Sequence, residues 1–251
     1  MDLVDTPSAL IGIAAIAALA AVFFAAARRG GQARSGAWWS RATIGQAASV
    51  TAVLTLLCIA NSSTLRGLQP LFVKGAVEEV TQYEFVKWNT YSRIAAFFPR
   101  LGYPYMWGPS PLAPKDLRIE QRYINIDGEA ATSMPRFSGD LDTLQFLNYD
   151  ITTLAYSLRN RGRAAIIGVG GGRDMLSAYY FGFRDFTGVE LNPILVDLLT
   201  NPKRFRSFSG LADLPNVRFF VDDARSWFAR TTQRFDLIQM SLVDTWAATG
   251  A

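Results

Sequence analysis

The sequence predicts an α/β chain: a parallel sheet with helices between its strands, preceded by a small β-hairpin region and an N-terminal helical membrane segment. Three observations predict it. Short apolar runs at Ala164–Ile167, Phe186–Val189, Val217–Val221 and Phe235–Met240 alternate with helix-like stretches at Asp174–Phe181, Pro193–Leu199 and Ala224–Ala229. That alternation builds a parallel sheet covered on both faces. A glycine-rich turn, Gly168-Val169-Gly170-Gly171-Gly172, follows the first of these runs. Two long apolar runs lie ahead of Asn61.

The first run, Ala9–Ala27, carries no charge and stops at Arg28-Arg29. It is long enough to cross a bilayer as a helix. Asp2 and Asp5 stand where a signal peptide would have its basic segment, which argues against a cleaved leader. The second run, Ile44–Ala60, is diluted by Gln46, Ser49, Thr51 and Thr55. Residues 1–62 are therefore expected to form a membrane segment with two candidate transmembrane helices, in contact with membrane lipid. Arg28, Arg29, Arg34 and Arg41 fall between the runs and flank a membrane rather than forming a nucleic-acid patch. They favour a cytoplasmic link, and a strict two-helix hairpin would then put the rest of the chain outside. The chemistry inferred below favours a cytoplasmic domain instead. A non-spanning second run, further helices, or a domain without catalysis would each resolve the conflict.

Residue counts narrow the chemistry. The 251 residues include one cysteine and no histidine. No disulfide forms within the chain, and Cys58, inside the second run, is a packing residue. Without histidine, Ser-His-Asp triads, histidine general bases and histidine metal sites are excluded, and no metal is expected.

Residues 63–140 are expected to be β-rich. Phe72–Tyr83 and Ser92–Phe98 look like short strands on either side of an aromatic segment, Tyr83–Asn89. Gly102–Pro114 holds four prolines and two glycines and should be a loop. Arg118–Ile126 should be a strand that turns at Asp127-Gly128. In Leu141–Arg159, apolar residues recur at helical spacing (Leu144, Leu147, Ile151, Leu154, Leu158), which predicts one helix. Residues 141–251 form the nucleotide-binding part. The sequence stops just past the fourth apolar run, so we expect a sheet incomplete at its C-terminal side. Its last edge would be covered by a missing segment or a partner, and a homo-oligomer fits that need.

Strand, glycine turn, helix, strand and acid make a Rossmann-like nucleoside site. Gly168, Gly170 and Gly172 let the backbone approach a ligand closely. The following helix presents free N–H groups. Glu190, about twenty residues beyond the turn, is placed to accept hydrogen bonds from a ribose. Gly168, Glu190, Asp222, Asp223 and Ser241 all fall at carboxyl ends of strands, where such sheets bind ligands.

From Arg118 onward the chain resembles the spermidine/spermine synthase family, within the class I methyltransferase-type fold, and looks like its membrane-attached branch. Ile124-Asn125-Ile126-Asp127-Gly128 is similar to the family's L-x-L-D-G hairpin. Asp142–Leu158 looks like its D-E…Y-H-E helix. Gly168–Gly172 matches the nucleoside loop, and Glu190 the ribose-binding acid. Asp223-Ala224 is similar to the pair that contacts adenine, and Phe235-Asp236-Leu237-Ile238 matches Y-D-V-I. The resemblance implies S-adenosylmethionine or its decarboxylated form as cofactor. It also implies a small-molecule acceptor such as a polyamine, and no nucleic acid. Three departures stand out. Gly171 occupies the place of an acid that holds the amine. Ser241 replaces the acid that activates it, leaving Asp244 as the surviving acid. Tyr149-Asp150-Ile151 stands for Tyr-His-Glu.

A cationic acceptor would need carboxylates, and Asp174, Asp150 and Asp244 are the candidates, with Asp174 and Asp244 as catalytic choices. Tyr149 and Ser241 join Asp150 as substrate candidates. Three functions remain open: aminopropyl transfer to a polyamine, methyl transfer to an unknown acceptor, and a non-catalytic nucleoside-binding module of a larger membrane protein.

Overall fold

The computed structural model describes residues 4–31, 37–64, 67–73, 75–128 and 130–243. The chain divides into two compact units, Met1–Val80 with Trp88–Thr90, and Thr81–Lys87 with Tyr91–Ala251.

The first unit holds two long helices, α1 (Thr6–Gly31) and α2 (Ala37–Ser62). Asp5 starts α1 by accepting from the Ser8 N–H at 2.7 Å, and Pro7 sits in the first turn, where a missing N–H costs nothing. The helices run antiparallel, because the start of α1 meets the end of α2. Cys58 Sγ donates to the Ser8 carbonyl at 3.2 Å, and Asn61 Nδ2 to the Ser8 hydroxyl at 2.8 Å. Ser8, Gly12 and Ala15 form a small-residue stripe on α1 that allows this close approach. Thr51 and Thr55 return their hydroxyls to carbonyls one turn back, both at 2.8 Å, which hides them from an apolar surrounding. Leu10, Ile13, Ile16, Phe23, Phe24, Val53 and Leu56 point outward. Both helices are long and apolar enough to cross a membrane over Thr6–Ala27 and Thr43–Ser62, and only 6% and 0% of their most apolar windows are buried. A short hairpin, β1 (Phe72–Val73) and β2 (Ala76–Val77), completes this unit.

The second unit begins with five antiparallel strands, more than the small hairpin region expected. They are β3 (Tyr83–Trp88), β4 (Arg93–Phe97), β5 (Arg100–Gly102), β6 (Ile119–Ile126) and β7 (Ala130–Pro135). β6 is central: it pairs with β4 and β5 along one edge and with β7 along the other, and β3 pairs with β4. The aromatic segment at Tyr83 is therefore itself a strand, not a spacer. Tyr83 and Phe85 alternate inward past an exposed Glu84, a period of two. Asp127 (φ 53°) and Gly128 (φ 88°) make the expected turn between β6 and β7.

The expected single helix over Leu141–Arg159 is three pieces. Leu141–Tyr149 and Ile151–Thr153 are 3₁₀ turns, and α3 spans Leu154–Leu158. Asp150 breaks it: its backbone is extended (φ −96°, ψ 127°), and its side chain caps the next turn by accepting from the Thr152 N–H. Of the residues that gave the helical spacing, Ile151, Leu154 and Leu158 are exposed; the buried residue of α3 is Tyr156.

Beyond it the α/β pattern is as expected. β8 (Arg163–Ile167), α4 (Arg173–Tyr180), β9 (Asp185–Glu190), α5 (Pro193–Thr200), α6 (Arg206–Ser209), β10 (Val217–Val221), α7 (Ala224–Arg230) and β11 (Leu237–Met240) follow in order. The four strands form one all-parallel sheet, ordered β10-β9-β8-β11. Cover is incomplete at β11, where Ile238 and Met240 are 54% and 61% exposed. Trp227 of α7 packs on Phe220 of β10 instead, with ring centroids 5.2 Å apart. One continuous core joins Ile94, Ile124 and Met134 of the antiparallel sheet to Ile166, Phe186, Met175 and Leu198 of the α/β part. A buried arginine reinforces that junction: Arg122 pairs with Glu84 and stacks its guanidinium over Phe205 and Phe208, 4.1 and 4.7 Å from their centroids.

Candidate functional site

The site is built where β8 ends. The Gly168 N–H donates to the Val189 carbonyl at 2.9 Å, extending the ladder one residue into the loop. Gly168, Gly170 and Gly172 then take φ of 73°, 53° and 89°, conformations open chiefly to glycine. Gly171 is glycine for another reason. A Cβ there would lie 2.1 Å from the Ser133 carbonyl oxygen and 2.9 Å from the Met134 nitrogen, both backbone atoms of β7. The Gly171 N–H donates to Thr132 Oγ1 at 3.0 Å, so β7 holds the loop from outside. No acid fits at this position.

Glu190 ends β9 and turns back onto the loop. Its Oε2 accepts from the Gly170 N–H at 3.0 Å, and its Oε1 from the Asn192 N–H at 2.9 Å. The backbone N–H groups of Leu191 and Val169 also face the carboxylate. The residue is 7% exposed. Burial pushes its pKa above the ordinary value, and N–H groups of Asn192 and Gly170 pull it partly back. Asn192 in turn caps α5, accepting from the Ile194 N–H at 3.0 Å ahead of Pro193, and its amide donates to the Ser92 hydroxyl at 2.8 Å.

Asp223 lies at the end of β10 as expected and serves as the N-cap of α7. Its Oδ1 accepts from the Ser226 N–H at 3.0 Å, and Arg225 approaches at 3.7 Å. That backbone hydrogen bond holds its pKa below the usual carboxylate range. Ala224 follows as the first residue of α7. The neighbouring Asp222 is paired with Arg230, and its N–H donates to the Glu190 carbonyl at 3.0 Å.

The remaining candidates converge on the far side of β8. Asp150, Asp174 and Ser241 come together, and Tyr149 sits beside them in the chain, packed against the core. Asp244 lies outside the described residues. What draws the cluster together is Arg173, a residue the sequence analysis passed over. It donates to Asp150 Oδ2 at 3.1 Å and reaches Asp174 Oδ1 at 3.4 Å, and all three side chains are at most 9% exposed. Asp150 is further committed to the Trp107 N–H at 3.2 Å and to the Thr152 N–H and hydroxyl at 2.9 and 2.8 Å. Asp174 sits in the first turn of α4 but does not cap it; the N-cap is Gly172. Burial raises the pKa of Asp174, opposed by Arg173 and by a hydrogen bond from Ser241. The Ser241 hydroxyl also meets the Gln239 amide. Tyr105, from the proline-rich loop, faces the same cluster: burial raises its pKa and Arg173 opposes that rise. A signal for Arg173 was present in the sequence. A basic residue at the first position of a helix opposes the helix dipole and calls for a local reason.

No protein-family model matches the chain, and no curated protein matches it. Among solved structures, it is similar to a spermidine synthase in complex with the transition-state analogue AdoDATO. The TM-score is 0.40 at 13% identity, over 64% of this chain and 48% of that one. It is also similar to spermidine synthase from Thermotoga maritima, with a TM-score of 0.40 at 13% identity, over 66% and 48% of the two chains. The chain spans about half the length of these structures.

Proposed function

We propose that the α/β unit binds a sulfonium nucleoside, S-adenosylmethionine or its decarboxylated form, and transfers one carbon group from it to a small acceptor. The two apolar helices would anchor it in a membrane, with the unit facing the cytoplasm against the pull of the arginines between the helices. The observation that carries this reading is the closure of Gly170 onto Glu190 at 3.0 Å, in a loop of positive-φ glycines at the carboxyl end of a parallel sheet. The residues fit such a ligand. Glu190 is oriented by the Gly170 and Asn192 N–H groups, and its carboxylate would accept from the ribose hydroxyls. Asp223-Ala224 would face the base.

A sulfonium supplies a carbon already activated for displacement, so the chain has mainly to position and desolvate. Glu190 would hold the ribose at a fixed angle. Helix α4 would set the tail, Asp174 would hold its charged end, and the proton that the acceptor releases would pass to solvent. In the aminopropyl version, the acceptor is a polyamine. Against it, Arg173 already neutralises one of the two carboxylates such a cation would need. That favours the second reading, methyl transfer to an acceptor that need not be cationic. A non-catalytic module would keep Glu190 without needing a buried Asp174.

The test is incubation of the full chain in detergent with labelled S-adenosylmethionine or its decarboxylated form, plus candidate acceptors. Methylthioadenosine as product marks aminopropyl transfer, and S-adenosylhomocysteine marks methyl transfer. Nucleoside binding with neither product leaves the non-catalytic module. Absence of nucleoside binding removes the proposal.

A further inference from the structure

The strand order β10-β9-β8-β11 sets the order in which an extended ligand meets this site. Neighbouring strands lie about 4.8 Å apart, so the row spans roughly 14 Å. Right-handed crossovers put α4 and α5 on one face and α7 on the other, so the chain reverses direction between β8 and β11, the place where sheets of this kind take ligands. A nucleoside with its base beyond β10 and its ribose on Glu190 would direct its tail to that switch point. Arg173, Asp174 and Ser241 stand there.

Two features of the cluster discriminate between tails. Arg173 is firmly held on one side only, by Asp150 at 3.1 Å. Its second terminal nitrogen makes only long contacts, 3.4 Å to Asp174 and 3.5 Å to Thr152. Contacts of that length are weak, and they leave one edge of a desolvated guanidinium for a stronger acceptor. Asp150 is saturated by Arg173, Thr152 and Trp107, which makes it an anchor for the guanidinium rather than an amine site. Asp174 is the less committed carboxylate. In addition, the backbone of β7 fills the space beside Gly171, so the loop carries no acid for an amine.

We infer that Arg173 and Asp174 read a zwitterionic amino-acid end, carboxylate on Arg173 and ammonium on Asp174, and that the nucleoside taken is S-adenosylmethionine itself and not its decarboxylated form. The inference rests on the nucleoside reading of the glycine loop. Arg173 is then the specificity-determining residue. A planar fork matches a carboxylate in a way an ammonium does not, and a ligand lacking the carboxylate leaves that edge with its two long contacts alone.

The experiment is calorimetric titration of the full chain in detergent with four probes: S-adenosylmethionine, S-adenosylhomocysteine, decarboxylated S-adenosylmethionine and methylthioadenosine. The two carboxylated probes should bind about tenfold to a hundredfold tighter than the other two, as expected for a hydrogen bond between charged groups. Arg173→Lys keeps the charge that balances Asp150, loses the fork, and should compress that ratio while leaving methylthioadenosine affinity unchanged. The wild-type comparison needs no variant, so poor folding of Arg173→Lys does not spoil it. Equal or tighter binding of the decarboxylated probe overturns the inference while the nucleoside site stands. A full preference retained in Arg173→Lys overturns the role of Arg173. Failure of all four probes to bind removes the nucleoside site and this inference with it.

Discussion

Gly170 and Glu190 are twenty positions apart in the chain and one hydrogen bond apart in space, the Gly170 N–H donating to Glu190 Oε2 at 3.0 Å. The bond ties the loop after β8 to the last residue of β9. The candidate ribose acceptor and the candidate nucleoside loop are thus one mechanical piece, and a change at either is felt at both.

Glu190→Gln should therefore damage both binding and stability. The amide keeps the shape but replaces one acceptor oxygen with a donor, so either Gly170 or Asn192 loses its partner. A buried donor left unpaired costs about 1–3 kcal/mol. Calorimetry should show nucleoside affinity falling roughly tenfold or more, and thermal unfolding in detergent should show the loss of stability. Wild-type affinity in a correctly folded variant would remove Glu190 from the site.

Gly171→Ala should be far worse than Gly102→Ala. At Gly171 the added carbon meets backbone of β7 at 2.1 Å, whereas at Gly102 nothing lies within 4 Å. Overpacking against rigid atoms costs about 1–3 kcal/mol or more. Chemical denaturation of the two variants side by side checks this, and equal stabilities would mean that β7 does not brace the loop.

Asp174 should make stability depend on pH in an unusual direction. Burial raises its folded pKa above the ordinary 3.8. Such a group contributes stability below 3.8 and loses it as pH rises through the raised value. Asp174→Asn should thus be more damaging near pH 4 than at pH 7. The neighbours that oppose the rise, Arg173 and Ser241, are unchanged in the variant. Melting temperatures of both proteins across that range give the answer, and a constant difference would show that Asp174 does not titrate there.

The antiparallel pairing of α1 and α2 fixes a relation between the ends of the first unit. If both helices span, Val4 and the chain after Ser62 lie on the same side of the membrane. In a Cys58→Ala background, single cysteines at Val4 and at Lys115 should react alike with an impermeant thiol reagent in intact cells. One reacting while the other is protected would mean that one helix does not cross. Protection of both is the outcome that agrees with a cytoplasmic α/β unit.

Much of this architecture was legible in the sequence. Four apolar runs became four parallel strands, and the central pair, β8 and β9, is the buried one, where both faces call for apolar residues. The loop glycines and Glu190 declared themselves because only glycine adopts those turns readily and because the spacing from loop to acid follows from one strand-helix-strand unit. The two apolar helices needed nothing beyond length and composition. Tertiary structure alone decided the rest. It broke the helix at Asp150, because a buried carboxylate that caps the next turn and anchors Arg173 outweighs a periodicity whose members Ile151, Leu154 and Leu158 lie at the surface. It placed β7 against Gly171, which no local pattern encodes, and so barred an acid from the loop. The sequence offers Asp150 and Asp174, with Asp244, as carboxylates around a cationic acceptor. The fold instead seats a guanidinium between them, since two carboxylates brought together in a desolvated space need a partner charge, and only packing could reveal that the partner is Arg173.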